Sequence, residues 1–140
     1  MIKAFVLDVS ACMPWCCEDE TTKASEEMLD WAKEGSELHV PSLWGWEIMN
    51  AVGVAVRRRR ITADRGREFL EQLAVLNFKI DQPPQVPDFP RLPDLATMHQ
   101  LTSYDVAYLD LAKRLSLPLA TRDSDLEKAA VSEGVEVLGK

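Results

Sequence analysis

No stretch of this chain stays apolar over the ~18 residues that a membrane-spanning helix needs. The amino terminus offers one early Lys followed by AFVLD, too short for the apolar core of a secretory signal and without a small-residue cleavage site. Both absences lead us to expect a cytoplasmic protein with no membrane partner. Cysteine is scarce, and its three copies, Cys12, Cys16 and Cys17, crowd into one short stretch. An odd number with two adjacent excludes a disulfide framework. No fourth ligand completes a thiolate zinc site, because His39 and His99 are far away in the sequence. Ordinary helix packing with one exposed thiol is the expectation. Basic excess is missing too: the net charge is −7 and the pI about 4.8. Broad gripping of nucleic acid through its phosphates is therefore disfavoured. An enzyme whose clustered acids hold a cation beside a local basic patch is not. Internal repeats, low-complexity tracts and linkers are absent. The 140 residues, 46% apolar and 28% charged, are expected to form one domain, 1–140, with a real core.

What is there alternates between strand-like and helical patterns. KAFVLD (3–8), SELHV (36–40), NFKID (77–81), LPLAT (117–121) and VEVL (135–138) read as short strands. Helical spacing runs through 22–34, ended by Gly35, then 42–60, 63–76, 94–101, 103–115 and 125–134. QPPQVPDFPRLP (82–93) holds five of the eight prolines and is expected to be irregular. Strands alternating with helices predict an α/β sandwich with a mostly parallel sheet.

Four acids sit where an acid is locally inconvenient: Asp8 in FVLDVSA, Glu47 in LWGWEIMN, Asp105 in TSYDVAYLDLA and Asp123 in LATRDSDL. A buried carboxylate is costly unless it is paired or holds a metal. Asp8 closes the first strand, where parallel sheets place their ligands, although an Asx turn or helix N-cap explains it equally. Glu47 shares a helical face with Leu43, Asn50, Ala51 and Val54, a mainly apolar set that points it inward with Asn50 beside it. Asp105 lies on the stripe of Leu101, Tyr108, Leu109 and Ala112, while also having capping-box spacing from Thr102. On the same helix Asp110 groups with Lys113 and Arg114 and reads as solvated. Asp123 ends LPLAT as Asp8 ends AFVL, with an N-cap as the competing role and Asp125 competing for that role. Acids brought together in this way suit a hard divalent cation such as Mg²⁺ or Mn²⁺, which would neutralise a phosphodiester and acidify a bound water. Without metal they would repel one another, and at least one pKa should rise.

Three blocks carry a resemblance: VLDVSA (6–11), PSLWGWEIMNAV (41–52) and LTSYDVAYLDLAKRLSLPLATRDSDL (101–126). Through them the chain resembles PIN-domain proteins, and more closely the VapC-type toxins of bacterial toxin–antitoxin pairs. The resemblance implies a three-layer sandwich with four or five parallel strands and a Mg²⁺- or Mn²⁺-dependent endoribonuclease acting on transfer or ribosomal RNA. It places the acidic site at Asp8, Glu47, Asp105 and Asp123, the supporting hydroxyls at Ser10 and Thr121, and a further acid at Asp125. A VapB-like antitoxin and a homodimer are the implied partners. The alternatives are a non-catalytic binding module whose acids meet a partner's Arg residues, or a phosphatase or DNA nuclease using the same site.

Arg57 to Arg60 form a cationic run at a helix end. It suits the helix dipole, and one or two of its members, Arg57 and Arg58 foremost, are expected to face RNA phosphates. Trp44 and Trp46, two apart on a helix, cannot both face inward equally, so one is expected near a surface as a partner contact.

Overall fold

The structure is a computed structural model and describes residues 1–139. Its five strands are β1 (Ala4–Leu7), β2 (Glu37–Val40), β3 (Phe78–Ile80), β4 (Leu119–Ala120) and β5 (Val137–Leu138). They form one sheet in the order β3-β2-β1-β4-β5, every pair parallel. Phe5, Val6 and Leu7 of the central strand are fully buried, which is why this strand reads as an unbroken apolar run rather than an alternating one. From β1 the chain steps outward to β2 and β3, then crosses back to β4 and β5 on the other side. The strand order thus reverses between β1 and β4, and their carboxyl ends border the crevice where such sheets bind ligands.

Among the described residues seven α-helices flank the sheet. α1 (Val9–Cys12), α2 (Lys23–Lys33), α3 (Trp44–Arg57) and α4 (Ala63–Leu73) belong to the steps toward β3. α5 (Leu92–His99), α6 (Ser103–Leu115) and α7 (Ser124–Ser132) belong to the steps toward β5. Right-handed crossovers in opposite directions put these two groups on opposite faces, giving the three layers. α6 lies against β1, β2 and β4, between α5 and α7, while α3 packs on α1 and α4. Thr22, Thr62 and Thr102 cap α2, α4 and α6 by accepting a backbone N–H three residues on.

Helix α5 begins at Leu92, ahead of the expected 94, because Pro93 suits a first turn whose N–H groups have no helical partner. The rest of the proline-rich stretch is irregular apart from a 3₁₀ turn at Val86–Asp88. Two other expectations are corrected. All three cysteines are buried, because α1 and the 3₁₀ turn Met13–Trp15 coil this stretch into the core, where Trp15 Nε1 donates to Ser25 O at 2.9 Å. Burial pushes the Cys16 thiol up to about 11, which keeps it in the thiol form at neutral pH. Asp110 is not solvated but only 8% exposed. Arg91 donates to its Oδ1 at 2.7 Å and Arg114 to its Oδ2 at 2.8 Å. Arg91 comes from outside the helix, so spacing along α6 could not reveal it.

The tryptophans divide as expected. Trp44 is 7% exposed with its ring 4.8 Å from that of Phe78, whereas Trp46 is 77% exposed. Trp44→Ala should cost about 3–5 kcal/mol by leaving a core cavity, and Trp46→Ala no more than about 0.5 kcal/mol. Urea unfolding of the two variants checks this, and equal midpoints would contradict it.

Candidate active site

The site is built at the β1–β4 reversal. Asp8 leaves β1 as the N-terminal boundary of α1, yet makes no side-chain capping bond, so capping does not account for it. Its Oδ2 instead accepts from Ser10 Oγ at 2.7 Å and Thr121 Oγ1 at 2.8 Å. Each hydroxyl has one proton, spent on Asp8, and each accepts in turn from the backbone: Ser10 from Arg122 N at 2.8 Å and Thr121 from Asp123 N at 3.1 Å. The ends of β1 and β4 are thereby tied through one carboxylate oxygen. Burial raises the Asp8 pKa most, the two hydroxyls pull it down, and the charge of Asp105 pushes it up again.

Glu47 and Asp105 approach from the two helical layers. Glu47, in the first turn of α3, is half-buried, and Tyr108 Oη of α6 donates a short hydrogen bond to its Oε1. Burial lifts its pKa, Tyr108 opposes this, and the charges of Asp8 and Asp105 add to the rise. Asp105 is half-buried in the first turn of α6. Burial again leads its upward shift, Thr102 opposes it, and Asp123 and Asp125 reinforce it. The expected rise in pKa is found in three acids, with desolvation ahead of mutual repulsion as its cause.

Asp123 and Asp125 are exposed rather than inward-facing. Asp123 does cap α7, its Oδ1 accepting from Asp125 N and Leu126 N, both at 2.9 Å, so the capping role is real and its Oδ2 is left over. Asn50 is exposed and makes no side-chain hydrogen bond among the described residues, and Arg57 and Arg58 are exposed at the far end of α3.

No ion pair reaches Asp8, Glu47, Asp105 or Asp123 among the described residues. Other acids in comparable settings are matched: Asp110 by Arg91 and Arg114, Glu133 by His99 and Lys113, Asp81 by Arg114, and Glu20 by Arg60 and Arg122. The four acids stand further apart than a preformed cage: among the described residues, the group that brings three possible ligand atoms within 4.8 Å of one another is Cys17, Asp19 and Glu20. It fits a cation poorly, because Arg60 already bridges Asp19 and Glu20 and burial raises the Cys17 thiol.

The PIN-domain family model matches residues 5–132, an interval that contains all four acids. This chain belongs to the PIN-domain family. Among solved structures it is similar to PAE2754 from Pyrobaculum aerophilum, with 21% identity and a TM-score of 0.71 over 97% of this chain and 83% of that one. It is also similar to VapBC2 from Rickettsia felis bound to a DNA fragment from their promoter, at 10% identity and TM-score 0.66 over 96% of each chain. FitAcB from Neisseria gonorrhoeae follows, at 17% identity and TM-score 0.63 over 95% of each chain. At these identities the likeness is one of fold. None of the curated proteins matches the sequence significantly.

Two residues of this PIN domain went unrecognised in the sequence. Tyr108 has the i+3 spacing from Asp105 that could have flagged it, but its partner lies on another helix. Arg122, hidden between Thr121 and Asp123, anchors Ser10 through its backbone N–H, a bond that sequence does not display. Tyr108→Phe should cost roughly 1 kcal/mol of stability, since half-buried Glu47 can turn to water instead. It should also raise the Glu47 pKa further, a shift that carboxyl-carbon NMR titration would detect. An unmoved Glu47 would show that the Tyr108 bond does not operate.

Proposed function

We propose that this PIN domain, taken as one unit over residues 1–140, is a metal-dependent endoribonuclease of the VapC type, the toxin of a toxin–antitoxin pair. The observation that carries the proposal is the acidic set itself. Asp8, Glu47 and Asp105, partly buried, and Asp123 at the rim gather at the carboxyl end of the sheet with no protein cation to balance them among the described residues, while the other acids noted above are paired. A cost of this kind makes sense when an external cation supplies the balance.

The donor set fits such a cation. Asp8, Glu47, Asp105 and Asp123 offer only hard oxygens, the choice of Mg²⁺ or Mn²⁺, and they are more widely spread than a closed cage, as suits an ion that keeps several waters. When bound, the cation would lower the pKa of a water and neutralise charge on the scissile phosphate. Ser10 and Thr121 fix the Asp8 oxygen to which they donate, leaving the other free to act as a ligand. Tyr108 orients Glu47 by the same logic, and the two amides on Asp123 hold its second oxygen outward. Asp125, in the first turn of α7, adds negative potential at the rim. Water held at this site would attack the phosphorus in line, and the ribose 3′ oxygen would leave and take up a proton to give the 3′-hydroxyl end.

The VapC-type reading rests on the three sequence blocks, and the fold likeness to VapBC2 and FitAcB agrees with it. A VapB-like antitoxin and a second copy of the chain would be the partners, with exposed Trp46, Met49 and Tyr104 as apolar contacts. The test is incubation with total cellular RNA in Mg²⁺, Mn²⁺ or EDTA. Discrete fragments with 5′-phosphate and 3′-hydroxyl ends, absent in EDTA, are expected. Fragments ending in 2′,3′-cyclic phosphate would mean that the 2′-hydroxyl attacks and would remove the metal-water mechanism.

A further inference from the structure

The acidic set poses a physical problem for its own substrate: RNA must bring a polyanion to four negative side chains on a protein of net charge −7. A cationic depression beside the site answers it. Its volume is about 400 Å³, and its lining includes Ser10, Met13, Glu20, Arg58, Arg60 and Arg122. Ser10 belongs to both places, because the same Oγ that accepts from Arg122 N donates to Asp8. The three arginines come from separate parts of the fold. Arg58 ends α3, and Arg59 then takes a left-handed turn at φ 58°, which swings Arg60 back onto the same side. Arg122 follows β4. Arg57, though part of the same run, does not line the depression.

Two of these arginines already hold an anion that lines the same depression. Glu20, on the 3₁₀ turn Glu18–Glu20, receives Arg60 Nη2 on Oε2 at 2.7 Å and Arg122 Nη1 on Oε1 at 3.2 Å, while the same Arg60 Nη2 reaches the more exposed Asp19 at 3.2 Å. Two oxygens of one carboxylate shared between two guanidinium groups is also how a phosphate is held. Arg58, by contrast, has no ion pair among the described residues.

Resting on the nuclease reading above, we propose that Arg58, Arg60 and Arg122 seat a backbone phosphate of the RNA neighbouring the scissile one, and that Glu20 fills this seat in the free protein and yields it to the substrate. Glu20 is then a built-in competitor. It lowers affinity for short or misplaced RNA and shields the arginines until a strand engages the acidic site at the same time.

Binding, measured without cleavage, tests this separately from the nuclease reading. Fluorescence anisotropy would follow a labelled single-stranded RNA of mixed sequence on Asp105→Asn protein in Mg²⁺ at a series of salt concentrations. Glu20→Gln in that background should tighten binding roughly two- to fivefold, the worth of an exposed ion pair. Arg58→Gln and Arg122→Gln should each weaken it and lower the salt slope by about 0.7. The gain from Glu20→Gln should vanish once Arg60 and Arg122, the two partners of Glu20, are both neutral. An equal gain in that double background would reduce Glu20 to general repulsion and overturn the seat. So would unchanged salt slopes, or RNA that does not bind the Asp105→Asn protein at all. These substitutions lie at the surface, and melting temperatures matching the parent would show that folding is not the cause. If the Arg effects hold while wild-type protein cleaves nothing, the seat stands and the nuclease reading falls.

Discussion

Asn in place of Asp105 or Asp8 is expected to abolish metal-dependent RNA cleavage, by at least about a hundredfold, in protein that remains folded. The two substitutions act on different parts of the site. Asp105→Asn removes the charge that couples Asp8, Glu47 and Asp123, yet keeps an oxygen able to accept from Thr102. Asp8→Asn leaves an oxygen for the Ser10 and Thr121 hydroxyls, so the tie between β1 and β4 persists while the ligand charge is lost. Asp110→Asn is the control. It lies on the same helix as Asp105 but is spoken for by Arg91 and Arg114, so it should lose stability and keep its cleavage rate. In cells, expression of wild-type protein should arrest growth, and Asp8→Asn should relieve the arrest. Full cleavage by both Asn variants would remove the acids from the mechanism. Equal loss in Asp110→Asn would mean that stability rather than chemistry was being read.

The layered fold was legible because its strongest signals are local. Phe5-Val6-Leu7 can only be a strand buried on both faces, and Thr22, Thr62 and Thr102 mark their helices by the chemistry of an N-cap. Asp8 and Glu47 stood out because acids there conflict with an apolar run or stripe. Periodicity cannot show what comes from another element. Asp110 looked solvated because its second arginine, Arg91, lies in the chain segment before α5. Tyr108 looked like plain core because Glu47 is 61 positions away. Asp123 was read as inconvenient from its place after β4, but the chain turns outward there and its carboxylate caps α7 in solvent. The burial of the cysteines is hidden for a related reason: a four-residue helix running into a 3₁₀ turn has no periodicity long enough to detect, yet it carries all three inward.

Without a cation, Asp105→Asn should be more stable than the wild type at neutral pH, and the advantage should disappear in acid. Asp8, Glu47 and Asp105 all have folded-state pKa values above their ordinary values of 3.8 for Asp and 4.5 for Glu. The fold therefore holds protons that the unfolded chain has released. Their favourable contribution is complete below the unfolded pKa and is lost as pH rises through the folded one. Asp110 and Glu133, held down by their basic partners, behave in the opposite sense and lose their contribution as pH falls. The difference between variant and wild type isolates the first group from the second. Adding Mg²⁺ or Mn²⁺ should reverse the order. At a hundred times its Kd a ligand that binds only the folded state adds about 2.7 kcal/mol, enough to raise Tm by several degrees, and the gain should grow with pH because protons compete for the same oxygens. Thermal unfolding in EDTA and in each metal, from acid to neutral pH, makes the comparison. An equal rise in Asp105→Asn would place the cation elsewhere on the molecule, and the unpaired acids would then need another partner, such as the guanidinium groups of an antitoxin.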